Sequence, residues 1–432
     1  MPSTAHTLPQ ELADHIIDLV STTSRPASSS KDLVNCTLVC RAWMLRASRH
    51  LLRRVSLLGL QFPAFLALVQ RSERFQTSVE DLCILGAVDI TQHWDALLTA
   101  LPKLAALELW SNLLPAKDFT PYTAPAQRRT LATLKIHCAE LSALPLLLAP
   151  FEHVGLLALR ALEDDSCDDA HDNAHDHGHD HGHDHAHDAH DDDAHDDAHS
   201  DRGSSTPTGN SPMDHMPIVT TPTGPPAPAL SAPLAVGRLV LEDCCQAATL
   251  RALGGLLRPT AVFANGFERK DAGALGAFLA RAAPHVEHLN LLPTQDDEAP
   301  GYQANVSSWN SESLIDFAVL AECPKLTSIT LDLVDVFWSQ CLFRAVLKNM
   351  PSGMSRLRVT LTDDQWEDTL DILSAHLADS EESYPNFHGI EFRGIADGFD
   401  SNEEAQEVLY MMNSEVQERL SPRFSAITRV LP

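Results

Sequence analysis

The chain has 432 residues, 44% of them hydrophobic, and a formal net charge of −28. That length allows two or three domains with a sizeable core. The acidity argues against nucleic acid as a general partner, because phosphate binding needs clustered Lys and Arg. No run approaches the roughly 20 apolar residues of a membrane span, and the N-terminus lacks the apolar segment of a signal peptide. The nine Cys are scattered without a CxxC pair, the usage expected of a reducing compartment. The expectation is a soluble protein of the cytoplasm or nucleus, with neither a membrane nor a nucleic-acid partner.

Residues 8–57 read as three short helices. Leu8, Leu12, Ile16 and Leu19 recur at helical spacing and form one apolar stripe. Pro9 suits a helix start, where its missing N–H would be unpaired anyway. The following STTSRPASSSKD is turn chemistry and reads as loop. Asp32 then suits the N-cap of a second helix with Leu33, Cys36, Val39, Cys40 and Trp43. A third run sets Ala47, Leu51 and Leu52 among Arg46, Arg49, Arg53 and Arg54. Three short helices bury little core by themselves. Their stripes must pack on the rest of the chain or on another protein.

The same stretch resembles an F-box. The residues that carry the resemblance are Leu8-Pro9-x-Glu11-Leu12, Ile16-Ile17-Asp18-Leu19 and Cys36-x-Leu38-Val39-Cys40-Arg41-Ala42-Trp43. It is closest to the F-boxes of fungal proteins and covers about the first 57 residues. The resemblance implies docking to a Skp-type adaptor of a cullin ubiquitin ligase through Leu8, Pro9, Leu12, Ile16, Leu38, Val39 and Trp43. The Ser-rich loop between the first two helices departs from the pattern by its length.

Beyond it, short Leu-x-Leu pieces recur. Candidate strands lie at 81–85, 107–109, 134–136 and 156–159, with Ile84, Leu109, Ile136 and Leu159 spaced by 25, 27 and 23 residues. Helix-like runs at 93–100 and 139–149 separate them. A strand plus a helix every roughly 20–29 residues is the period of leucine-rich repeats. Further candidates are 239–241, 261–263, 289–291, 329–331, 359–361 and 390–392, spaced at their last residues by 22, 28, 40, 30 and 31. The longest step contains a polar excursion at 295–310, read as a loop. The phrase Pro102-Lys103-Leu104 to Leu109 returns at 284–291 and 324–331. The Asn that closes a regular repeat is mostly missing, so the repeats are degenerate and a less regular α/β domain stays open. Stacking such units buries an apolar face that none buries alone, in a parallel sheet with helices outside and a broad surface for a protein partner. A helix at 401–420, with Val408, Leu409, Met412 and Val416 on one face, is expected to cap the final repeat.

Residues 163–201 hold 16 acidic side chains and no Lys or Arg; without them the chain would carry −12. Eleven of the 22 His lie at 170–199, and 201–233 is rich in Pro, Ser, Thr and Gly. Such composition predicts disorder over 164–233. His177, His179, His181, His183, His185 and His187 alternate along it. This is either a simple-sequence tract with adventitious zinc or nickel affinity, needing no cofactor, or a metal-handling segment. Unperturbed imidazoles titrate near about 6.5, so zinc is expected to bind several of them, release protons and bind far less well near pH 5 than at neutral pH. Calorimetry with zinc across that range checks this; equal binding at both ends would exclude the imidazoles as ligands.

No GxGxxG, P-loop, GxSxG or HExxH motif occurs. The acidic groups 363–364 and 296–298 read as solvated loop residues, so no enzyme is expected. Trp94, Trp338 and Trp366 read as core, Trp110 and Trp309 as surface anchors, and His285 and His288 as structural. The expected fold is therefore α/β. An N-terminal three-helix F-box (1–57) is followed by a leucine-rich-repeat-like solenoid in two halves (58–163 and 234–432). The long disordered insertion (164–233) lies between the halves. The expected role is a substrate adaptor of a ubiquitin ligase with an unknown target protein; metal handling by the His tract is the alternative.

Overall fold

The computed structural model describes residues 9–23, 26–86, 90–110, 128–137, 139, 141–162, 232–244, 247–294, 317–333, 338–379, 383–394 and 402–431. Three helices come first: α1 (Gln10–Thr23), α2 (Pro26–Thr37) and α3 (Arg41–Arg53). The described strands are β1 (Arg54–Leu58), β2 (Asp81–Leu85), β3 (Ala106–Trp110), β4 (Arg129–His137), β5 (Phe151–Arg160), β6 (Leu234–Glu242), β7 (Leu257–Phe267), β8 (His288–Pro293), β9 (Ser328–Asp332), β10 (Arg356–Leu361), β11 (Gly389–Gly394) and β12 (Thr428–Leu431). They form one sheet in sequence order, every neighbouring pair parallel. Helices fill most of the crossovers: α4 (Phe62–Arg71), α5 (Glu73–Ser78), α6 (Trp94–Ala100), α7 (Leu144–Leu148), α8 (Ala247–Leu256), α9 (Ala272–Ala282), α10 (Ser339–Lys348), α11 (Asp363–Asp379), α12 (Asn402–Arg419) and α13 (Pro422–Ser425). This is a solenoid-like α/β fold. No described helix is long and apolar enough to cross a membrane.

The Leu-x-Leu spacing explains the sheet. Alternate residues point to opposite faces, so the two Leu of each piece enter the core together. One row runs Leu82, Leu107, Leu134, Leu157, Leu239 across adjacent strands, and the next runs Ile84, Leu109, Ile136, Leu159, Leu241. All ten are buried. A fully buried side chain of this kind contributes roughly 1.5–3 kcal/mol. Most of the helices are shorter than the roughly 12–15 residues needed for stability alone; packing on these rows holds them.

All ten candidate strands are present, as are the helices near 93–100 and 139–149. Strands β5 and β6 flank the His/Asp-rich interval yet pair directly, His153 with Ala235 through Arg160 with Glu242. The Pro/Ser/Thr-rich stretch lies outside the described residues except at 232–233, as do the polar excursion at 295–310 and Trp309.

Several expectations are corrected: Asp363 and Asp364, read as loop, open α11, and residues 54–57, read with the three helices, belong to β1. The stretch expected to be loop is mostly helix: α2 begins at Pro26, favoured at the first turn, and Asp32 lies inside it rather than at its N-cap. Trp43 belongs to α3, not to the second helix, because the chain turns at Leu38 and Val39. Phe263 does not share the core row; Ala264 does, pairing with Leu241 and Leu291. A one-residue slip in a strand exchanges its faces, and Phe263 lies on the other one. Finally, α12 buries Met412 and Val416 as expected but does not end the fold, since α13 and β12 follow.

Close backbone approach shapes the middle of the sheet. A Cβ on Gly155 would stand 2.7 Å from the Ala132 carbonyl oxygen, and one on Gly237 would stand 2.6 Å from the Gly155 carbonyl oxygen. The Thr260 hydroxyl donates to the Gly237 carbonyl at 2.5 Å, continuing the contact to the next strand.

Candidate functional site

Two surfaces concentrate chemistry. The first is the outside of α1–α3. Its inner cluster is small: Ile17, Leu33 and Ala47, with Val20, Cys36, Trp43 and Leu51 packed against it. The Asp18 carboxylate ties α1 to α3. It accepts from Arg46 Nε at 2.9 Å and from the other guanidinium arm at 2.6 Å, and its Oδ1 lies 2.7 Å from His50 Nε2. The Arg46 hydrogen bonds, helped by His50, hold its pKa at about 2, below the ordinary 3.8, with burial opposing them.

Such a depressed carboxylate stabilises the fold above its unfolded-state value, and the contribution disappears as pH falls through the folded value. Because the side chain is 37% exposed, solvent screens much of it. An Asp18→Asn variant is expected to melt below wild type at pH 7, with the gap closing between pH 3.8 and about 2. Melting curves of the two proteins across that range check this. A gap that ignores pH would show that the ion pair contributes nothing.

Several large apolar side chains are left outside this module. Leu38 is 79% exposed, Val39 59% and Leu12 52%. Ile16, Leu19, Val34 and Leu45 are exposed as well. The stripe Leu12, Ile16, Leu19 thus faces away from the module's own core, and α1 buries Ala13 and Ile17 instead. Of the expected docking residues, Pro9, Leu12, Ile16, Leu38 and Val39 are exposed. Trp43 is half-buried against the inner cluster, and Leu8 lies outside the described residues.

The second surface is the sheet face opposite the core rows. In every piece but 261–263 the middle residue lands here, so Cys83, Glu108 and Lys135 lie side by side on β2, β3 and β4. Trp110 and His137 are neighbours one step along, with rings stacked at 4.0 Å and 9°. The Trp110 indole N–H donates to Glu108 Oε1 at 2.7 Å, which fixes the ring plane. His137 is only 8% exposed, and neither ring nitrogen has a hydrogen-bond partner. Its Nε2 is 3.5 Å from Glu108 Oε1, too far for a good hydrogen bond. Burial is the main reason its basicity is lowered, with Glu108 pulling the other way. The neutral ring acts as a floor for Trp110, which is 38% exposed, as expected of a surface anchor. Trp94, Trp338 and Trp366 are buried, and His288 contacts Ser328 Oγ at 2.8 Å.

Sequence reasoning missed this face as a site, although the middle residue of every piece but 261–263 names one of its positions. The alternating His177 to His187 lie outside the described residues. Among the described residues, no group of three or more His, Cys, Asp and Glu is arranged to hold a metal ion. The fold and surfaces define a solenoid-like α/β chain with an exposed apolar module at one end of its parallel sheet. Neither a scan of protein-family models nor a search of curated proteins gives a match to it.

Proposed function

We propose that this chain is a substrate-recognition adaptor of a Skp–cullin–F-box type ubiquitin ligase in the cytoplasm or nucleus. The reading rests on one observation above all. The three-helix module keeps Leu12, Leu38 and Val39 exposed around an inner cluster of three fully buried residues. An apolar face of that kind needs a partner, and the residues that form it are those by which residues 8–57 resemble an F-box.

In this account α1–α3 are the F-box, and the Skp-type adaptor covers Leu12, Ile16, Leu38 and Val39. The sheet and its helices are degenerate leucine-rich repeats, whose open face holds a target protein. The chain itself performs no chemistry. It raises the effective concentration of target lysines near the charged ligase subunits. Reconstitution of ubiquitin transfer with adaptor, cullin and the full chain tests the assignment. Transfer to a bound protein that depends on the full chain supports it. An assembly that never incorporates the chain overturns it.

A further inference from the structure

The open face of the sheet changes character toward its C-terminal edge. Arg356 and Arg358 lie on β10, Glu391 and Arg393 on β11, and Arg429 on β12. In register, Arg358, Glu391 and Arg429 form one row; Arg393 is one step along and Arg356 one step back. All four arginines are exposed. Glu391 is committed to Arg358, whose Nε donates to it at 2.8 Å. Arg356 lies across Gly389, whose missing side chain leaves the room: a Cβ there would touch its Cγ and Nε, both at 3.7 Å. Among the described residues, Arg356, Arg393 and Arg429 make no ion pair. The adjacent strands β8 and β9 add mostly neutral hydrogen-bonding groups at this face, Asn290, Ser328 and Thr330, with Asp332 at the rim.

We infer that this patch binds an acidic peptide segment of a protein partner. Three unpaired guanidiniums beside one neutralised carboxylate make a local surplus of positive charge on a chain of net charge −28. Among the described residues of the open face, Glu108 with Lys135 and Arg160 with Glu242 largely cancel, and Arg238 stands singly over the Phe263 ring, so charge complementarity favours an anion most at this patch. Size decides between anions. At physiological salt the field of distant charges fades over about 8 Å. A short acidic segment feels the patch, whereas a long polyanion such as nucleic acid also meets the acidic remainder. Strands β10 and β12 stand roughly 10 Å apart, the length of a short acidic run in an extended peptide. That the segment belongs to a target for ubiquitin transfer rests on the receptor reading; the binding itself does not.

The test is fluorescence anisotropy with the full chain and a labelled peptide carrying a run of Asp and Glu. A Lys-run peptide and a single-stranded oligonucleotide serve as comparisons. The acidic peptide is expected to bind, more weakly as salt rises, and the other two to bind less well. A triple variant, Arg356→Glu, Arg393→Glu and Arg429→Glu, is expected to lose about tenfold or more in affinity, with the Gln versions in between. Since the three side chains are exposed, the Gln version is expected to melt where wild type melts, whereas Arg429→Glu sets a like charge opposite Glu391 and lowers the melting temperature slightly. Equal binding by the Glu variant, or tighter binding of the Lys peptide or the oligonucleotide, would overturn the inference. A Leu38→Ser, Val39→Ser chain separates the two readings, since it should lose the adaptor and keep the peptide. Peptide binding without any adaptor binding by wild type would leave this surface standing and remove the receptor reading.

Discussion

A Leu38→Ser, Val39→Ser double variant is expected to lose about a hundredfold in affinity for a Skp-type adaptor while melting where wild type melts. The two parts of that result have separate causes. Both side chains sit in the turn between α2 and α3 and are mostly exposed, so the fold gains little from them. At an interface, buried aliphatic anchors each cost about 1–2 kcal/mol when truncated, and about 1.4 kcal/mol is tenfold in affinity. A matched change inside the module separates the alternatives. Ile17→Ala removes a fully buried side chain and should lower the melting temperature of the helical module first, with adaptor binding falling as a consequence. Surface plasmon resonance beside circular dichroism melting distinguishes the two patterns. If the double variant binds like wild type, the turn is not part of the docking surface.

Gly237→Ala is expected to destabilise the sheet by roughly 1–3 kcal/mol, the usual range for forcing extra atoms into a packed site. The added carbon would stand 2.6 Å from the Gly155 carbonyl oxygen, a backbone atom that moves only if β5 and β6 part. The Thr260 hydroxyl bond to the Gly237 carbonyl resists that movement from the other side. Gly273→Ala is the control. It adds the same carbon near the start of α9, where nothing lies within 4 Å, and is expected to be neutral or slightly stabilising. Denaturant unfolding of the three proteins gives the comparison. A Gly237→Ala chain as stable as wild type would mean that the strands spread without cost.

Much of this architecture was legible because its signal is local and repeated. Each Leu-x-Leu commits two side chains to one face, and the recurring pieces identified ten strands, though at 261–263 the face was misassigned by one residue. The end strands were harder. Strand β1 follows α3 without a connecting residue, so Arg54 and Val55 read as a helix tail, and β12 has four residues with only Val430 in the core row. Composition misled at α2, where Ser-rich sequence read as loop although Pro26 can open a helix and α1 and α3 provide the packing. The direction of the α1 stripe was not legible at all. Periodicity shows that Leu12, Ile16 and Leu19 share a face, but not that Ala13 and Ile17 turn inward in their place. The Trp110–His137 stack depends on the pairing of β3 with β4, which no single strand reveals. The arginine patch likewise exists only once β10, β11 and β12 are in register.

On the proposed function, the three-helix module is the docking surface for a Skp-type adaptor. Isothermal titration of the full chain with purified adaptor tests it most directly. Saturable one-to-one binding is expected, with a negative heat-capacity change, the mark of apolar burial, from exposed Leu12, Ile16, Leu38 and Val39 becoming covered. No binding by the folded chain, or binding that survives intact when Leu12, Leu38 and Val39 are all changed to Ser, would contradict it.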